Sequence, residues 1–157
     1  MHAAGLNFRD VLNAVAMRAD PEPLGGECAG RVVAIGEGVT TLAVGDDVVA
    51  IAEGAFAMYL TADARHVAAL PAGVSAAHAA TVPLAYMTAR YALHARGCLG
   101  DGDTVLIHAG AGGVGMAAIR LAQTTGAVVL ATAGSERKRA ILRALGVRHV
   151  FDSRSTA

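Results

Sequence analysis

The sequence predicts an α/β chain: a compact β region followed by the first βαβαβ half of a doubly wound parallel sheet. Three observations predict it. Short blocks rich in Val, Ile and Ala, punctuated by glycine and proline, fill the first half. From Thr104 onward strand-like and helical segments alternate with short links. A glycine turn, HAGAGGVG, sits where the first strand of that alternation gives way to its first helix.

Taken in order, ECAGRVVAIG, DDVVAIA, AFAMYLTA and HVAAL lie between turn signals at Gly25–Gly26, Gly36–Gly38, Gly45 and Pro71–Gly73, so residues 24–70 should be mostly strand. At PAGVSAAHAA the pattern changes. Ser75 can cap a helix that Pro83 interrupts, and a second helical stretch should run from about Leu84 to Arg96. Then come TVLIHA (strand), VGMAAIRLAQTTG (helix), AVVLATA (strand), SERKRAILRALG (helix) and VRHVF (strand). In the last helix Ser135 is the cap, Ile141, Leu142 and Leu145 share a face, and Gly146 follows the end. The chain stops at DSRSTA, straight after its third parallel strand, so it reads as cut from a longer polypeptide or as part of an assembly that completes the sheet. By itself it is expected to aggregate or melt broadly, because a half sheet leaves apolar surface uncovered.

Composition narrows the function. With 157 residues, 54% hydrophobic and 17% charged, the chain is globular in type. Its 13 basic and 13 acidic residues cancel, which argues against nucleic acid and for a small ligand. No export signal and no span of transmembrane length free of charge and glycine is visible, so a soluble, cytoplasmic protein without membrane contact is expected. Cys28 and Cys98 lack CxxC spacing and are expected to be free core thiols.

Gly110, Gly112 and Gly115 satisfy GxGxxG between a strand and a helix. Gly110 should permit the tight turn, Gly112 should let the backbone approach a pyrophosphate, and Gly115 should let the helix pack close to the strand. The N–H groups of Gly113 and Val114 would then meet the phosphates at a helix N-terminus. An NAD site usually ends the second strand in a carboxylate for the ribose 2'-hydroxyl, and LATAG has none. The same absence counts against a methyltransferase. Ser135, Arg137, Lys138 and Arg139 follow instead, which favours the 2'-phosphate of NADPH, with Glu136 as the residue that could reverse the preference. Successive helical residues diverge by about 100°, so the three cations cannot all face one phosphate; Lys138 is preferred.

AAGLNFRD at 3–10, LGGECAG at 24–30, VGDDV at 44–48 and LIHAGAGGVGMAAIRLA at 106–122, in this order, closely resemble the enoyl reductase domains of modular polyketide synthases. These are zinc-free members of the medium-chain dehydrogenase/reductase superfamily, related to quinone oxidoreductases. The resemblance implies a GroES-like substrate-side region over 1–83 with its N-terminal part missing, and an NADPH-binding Rossmann domain over 84–157 with its C-terminal half missing. Hydride would pass in a cleft between them, to an α,β-unsaturated thioester on an acyl carrier protein within a multidomain synthase. The oligomeric state stays open.

By the same resemblance Asn7 would lie beside the nicotinamide as the catalytic-side residue and Thr88 would contact the nicotinamide end, with a turn-forming Asn and a helix-satisfied Thr as the alternatives. Gly112, Gly113, Val114, Gly115, Ser135 and Lys138 carry over as phosphate contacts. Zinc-dependent relatives need Cys and His where this chain has Asn7 and Phe8, and His where it has Gly26, so no metal is expected. His108 and Glu27 are expected to be hydrogen-bonded structural residues, and Tyr86 and Tyr91 to pack. The family Tyr held to donate a proton is Arg18 here. That leaves a free-standing quinone oxidoreductase or a non-catalytic nucleotide-binding scaffold as the competing functions.

Overall fold

The computed structural model describes residues 1–15 and 23–155, which form two compact units, Met1–Leu84 and Ala85–Ala157. Among the described residues no helix is long and apolar enough to cross a membrane.

The first unit is an antiparallel sheet of β1 (Ala3–Gly5), β2 (Glu27–Arg31), β3 (Asp47–Ile51) and β4 (Val67–Ala69), in that spatial order. Gly5 pairs with Glu27, Glu27 with Ile51, and Arg31 with Asp47. A short helix α1 (Phe8–Ala14) follows β1, and a single turn α2 (Ala76–Ala79) packs on β1 and β2. Ala79 and Ala80 are buried there against Ala29, where larger side chains would hold the helix off the sheet. Less of this unit is extended than the Val- and Ala-rich blocks imply. AFAMYLTA, expected as a strand, is turn and irregular chain because Ala55 and Phe56 donate their N–H groups to Gly25 and Leu24 carbonyls at the double-glycine turn. VVAIG likewise leaves the pairing after Val32, whose N–H still donates to the Asp46 carbonyl and whose carbonyl accepts from Gly45.

The second unit is a parallel sheet of β5 (Thr104–Ile107), β6 (Val128–Ala133) and β7 (His149–Asp152), with β6 in the middle. α4 (Gly113–Thr125) joins β5 to β6, and α5 (Glu136–Ala144) joins β6 to β7. Both helices share one core with one face of the sheet: Ile119 and Leu142, each 0% exposed, close over Ile107, Val129, Ala131 and Ala133. Along each strand the alternate residues point the other way, and Leu106, Val128 and Phe151 stay exposed on the opposite face. Thus the α/β class and the order of elements match the expectation, with the parallel half confined to its first three strands.

Between these elements α3 (Pro83–Arg90) opens on proline at its first position, where no intrahelical N–H is needed, and continues as a π-helical segment Tyr91–Arg96. Ala85, Ala89 and Leu93 pack into the core of the second unit. Tyr86 and Tyr91, expected to pack, lie on other faces of this helix and are 37% and 60% exposed. The two cysteines also part company. Cys28 is buried on β2, where burial pushes its thiol pKa up, whereas Cys98 is exposed in a turn with φ 50°.

Candidate functional site

In the first unit the strings NFRD and LGGE are tied together by two buried carboxylates. Asp10, 2% exposed, sits in the first turn of α1 and accepts from the backbone N–H of Asn7 at 2.8 Å and of Gly25 at 2.9 Å. It caps the helix and pins the double-glycine turn at once. Gly25 has φ +86°, and a methyl there would stand 2.6 Å from Phe56 N, so only glycine makes this turn. Glu27, also 2% exposed, accepts from Asn7 Nδ2 through Oε1 at 2.8 Å and from Leu84 N–H through Oε2 at 2.8 Å.

Asn7 is therefore held at both ends. Its backbone N–H goes to Asp10 and its side-chain amide to Glu27, which leaves one N–H of the amide for other partners. Glu27 is a hydrogen-bonded structural residue, as its place in the GGE turn implies. Asp10 is the residue that the sequence reading passed over, although Asn-x-x-Asp before an apolar run is a capping signal in its own right. Both oxygens of Glu27 are committed to N–H donors, and Asn7 and Phe8 offer no thiolate or imidazole. This donor set does not fit a zinc ion, and among the described residues no cluster of three or more His, Cys, Asp or Glu is placed to hold a metal.

The second unit presents the glycine loop. In the tight turn after β5 the left-handed conformation falls to Ala109, at φ 50°, and Gly110 is the first central residue of the turn that Gly112 N–H closes on the Ala109 carbonyl at 2.9 Å. Gly110 is a packing residue: a methyl there would meet Ala131 at 3.1 Å, Leu142 at 3.2 Å and Ile119 at 3.3 Å. At Gly115 a methyl would stand 2.5 Å from the Ala109 carbonyl oxygen and 2.8 Å from Gly110 Cα, so the helix touches the loop backbone to backbone. Gly112 is the N-cap of α4, and beside Gly113 nothing lies within 4 Å of the position a methyl would take.

Consequently the start of α4 is open. The amides of Gly113, Val114 and Gly115 precede the first intrahelical acceptor bond, which Met116 N–H makes to Gly112, and Gly112 has no side chain to cap them. The cradle and the helix dipole together fit a diphosphate. His108, at the end of β5, bonds Thr132 Oγ1 through Nδ1 at 3.1 Å, a strand-to-strand tie of the expected kind.

At the end of β6, Ser135 caps α5 by accepting from Lys138 N–H at 3.4 Å, which leaves its O–H free to donate. The cations divide here. Arg139, 15% exposed, is spent on Asp152 at 2.8 Å, on Glu136 at 3.0 Å and on the Ala133 carbonyl at 3.0 Å. Glu136 is clamped by Arg143 at 2.7 Å as well, and these guanidinium groups, Arg143 first, hold its carboxyl below the usual carboxylate range. Lys138 and Arg137 are exposed and make no ion pair among the described residues. In α3, Thr88 is exposed and its hydroxyl has no hydrogen-bond partner among the described residues, so it is not the helix-satisfied Thr of the alternative reading. Arg18 lies outside the described residues.

Known proteins align with both units. The family model described as alcohol dehydrogenase GroES-like domain matches residues 1–72, and that described as zinc-binding dehydrogenase matches residues 113–157. The polyketide synthase GfsB of Streptomyces halstedii is 51% identical over 159 residues, spanning 100% of this chain and 3% of its own length. Among solved structures, the CurK enoyl reductase is similar at 40% identity with a TM-score of 0.91, over 98% of this chain and 50% of that one. A mycobacterial protein, Rv1454c, solved in complex with NADPH, is similar at 37% identity with a TM-score of 0.87, over 96% of this chain and 48% of that one. The chain thus spans a small part of the synthase and about half of each solved relative.

Proposed function

We propose that the chain, whose residues 1–72 match an alcohol dehydrogenase GroES-like domain and residues 113–157 a zinc-binding dehydrogenase, is about half of a zinc-free, NADPH-dependent enoyl-thioester reductase of a polyketide synthase. The observation that carries this reading is the open N-terminus of α4 behind Gly110, Gly112 and Gly115, in a chain half identical to a polyketide synthase along its whole length. When bound, NADPH supplies the hydride that adds to Cβ of an α,β-unsaturated thioester carried on an acyl carrier protein.

The residues of the chain bind and orient. The amides of Gly113, Val114 and Gly115 take the pyrophosphate, and Gly112 keeps that approach clear of side chains. Ser135 donates its hydroxyl to the 2'-phosphate and Lys138 adds a cation. Asn7, its side-chain amide fixed by Glu27, is the candidate residue on the substrate side, and Thr88 offers its unengaged hydroxyl as the candidate contact for the nicotinamide end. An enolate formed by hydride addition at Cβ needs donors at its oxygen and then a proton at Cα.

The test is turnover of a crotonyl-type thioester with NADPH against a quinone with NADPH. Thioester reduction with little quinone reduction is expected; the reverse preference assigns a quinone oxidoreductase, and failure to bind either nicotinamide coenzyme leaves a non-catalytic scaffold.

A further inference from the structure

The turn after β7 brings a cation to the end of β6 from a different part of the chain. A methyl on Gly134 would stand 3.0 Å from Arg154 Nε, 3.5 Å from Arg154 Cζ and 3.3 Å from Ser153 Oγ, so the Arg154 guanidinium lies across the bare backbone between β6 and Ser135. Its seat is built from Asp152, whose Oδ1 accepts from the backbone N–H of Arg154 at 2.9 Å while Oδ2 takes Arg139 at 2.8 Å. That carboxylate is used up by a backbone amide and by another arginine. Glu136, the other acid in this area, is occupied by Arg139 and Arg143. Arg154 is exposed, and its guanidinium makes no ion pair among the described residues.

We propose that Arg154 is the second cation of the 2'-phosphate pocket and a determinant of NADPH over NADH, and that position 134 is glycine so that this guanidinium can lie there. The inference rests on the proposed dinucleotide reading and resolves a geometric difficulty within it. Arg137 and Lys138 are successive on α5 and diverge by about 100°, so that helix can aim only one of them at a given phosphate. Arg154 approaches from the turn after β7, over Gly134, and its planar fork suits two phosphate oxygens at once. Arg139 and Asp152 act through it: their ion pair orients the turn that carries Arg154 and keeps a carboxylate from neutralising it.

The experiment is equilibrium binding of NADPH, NADH and 2',5'-ADP to the full chain by fluorescence titration and competition, with thermal unfolding as a check on each variant. Arg154→Ala is expected to weaken NADPH and 2',5'-ADP by about tenfold to a hundredfold, the loss for one charge-assisted contact, with NADH affinity changed less than about twofold. Gly134→Ala, whose backbone tolerates alanine, is expected to shift the NADPH/NADH ratio the same way, and to add nothing on top of Arg154→Ala. Arg154→Lys should recover part of the ratio. An unchanged ratio in Arg154→Ala, or equal loss of both coenzymes, overturns the role of Arg154 and leaves the pyrophosphate site standing. If the unmodified chain binds neither coenzyme, the dinucleotide reading fails first and the inference falls with it.

Discussion

The two units treat their polar groups in opposite ways. In Met1–Leu84, Asp10 and Glu27 are buried and each accepts two short hydrogen bonds from within the unit, so the polar chemistry is closed on itself and its product is a rigidly held Asn7. In Ala85–Ala157 the start of α4 is the reverse: glycines leave backbone amides without a cap and with empty space beside Gly113. Paired groups position, and unpaired groups wait for a ligand. The contrast extends to α5, whose N-terminus is already capped by Ser135 and whose acid, Glu136, is clamped by two arginines, so that there the side chains, and not open amides, are offered to an anion.

Substitution at the glycines tests this contrast most severely. Gly115→Ala drives a methyl into the backbone of Ala109 and Gly110, and should cost about 3 kcal/mol of stability and abolish coenzyme binding. Gly113→Ala meets open space, so stability should change by less than about 0.5 kcal/mol while NADPH affinity falls. Melting curves beside coenzyme titrations separate the two; parallel loss in both variants would break the distinction between a packing glycine and a binding glycine.

Glu27→Ala comes next in size. It leaves the Asn7 amide and the Leu84 N–H without an acceptor, about 1–3 kcal/mol for a buried donor left unpaired. The expected signature is a lower melting temperature and slower thioester reduction, with NADPH affinity nearly unchanged because the α4 cradle is intact. Equal loss of NADPH affinity would show that the two units do not divide the work in this way.

Smaller still is Ser135→Ala. Its cap bond is long at 3.4 Å, so about 0.5 kcal/mol is expected, near the lower end for such caps, together with a fall in the NADPH/NADH binding ratio. Smallest is the acid response of Glu136. Its folded-state pKa is depressed below the ordinary glutamate value, so its contribution is present above that value and disappears as pH falls through the folded-state pKa. The pair is solvent-exposed, so the effect should be slight and should shrink further in high salt; Glu136→Gln melted across this acid range at two salt concentrations measures it.

Much of this was legible in the chain. Periodicity and glycine placement determine the βαβαβ order, because strands and helices bury apolar residues at different spacings whatever lies around them. The motif HAGAGGVG likewise determines that a helix N-terminus follows a strand, and Gly115 is glycine for the close packing its place in the motif implies. Other points were decided only in three dimensions. AFAMYLTA has the composition of a strand, yet its N–H groups are claimed by Leu24 and Gly25 across the fold. The left-handed turn fell to Ala109, and Gly110 became a packing surface because Leu142 of α5 closes over it. Six cations follow β6, with Arg137, Lys138 and Arg139 in a row on α5, Arg143 further along it, Arg148 before β7 and Arg154 after it, and no local pattern says which stay free. That depended on Asp152 and Arg143 meeting Arg139 and Glu136, and on Arg154 crossing Gly134. Local sequence sets conformational preference over a few residues, whereas the pairing of charges depends on distances between segments that only the packed chain defines.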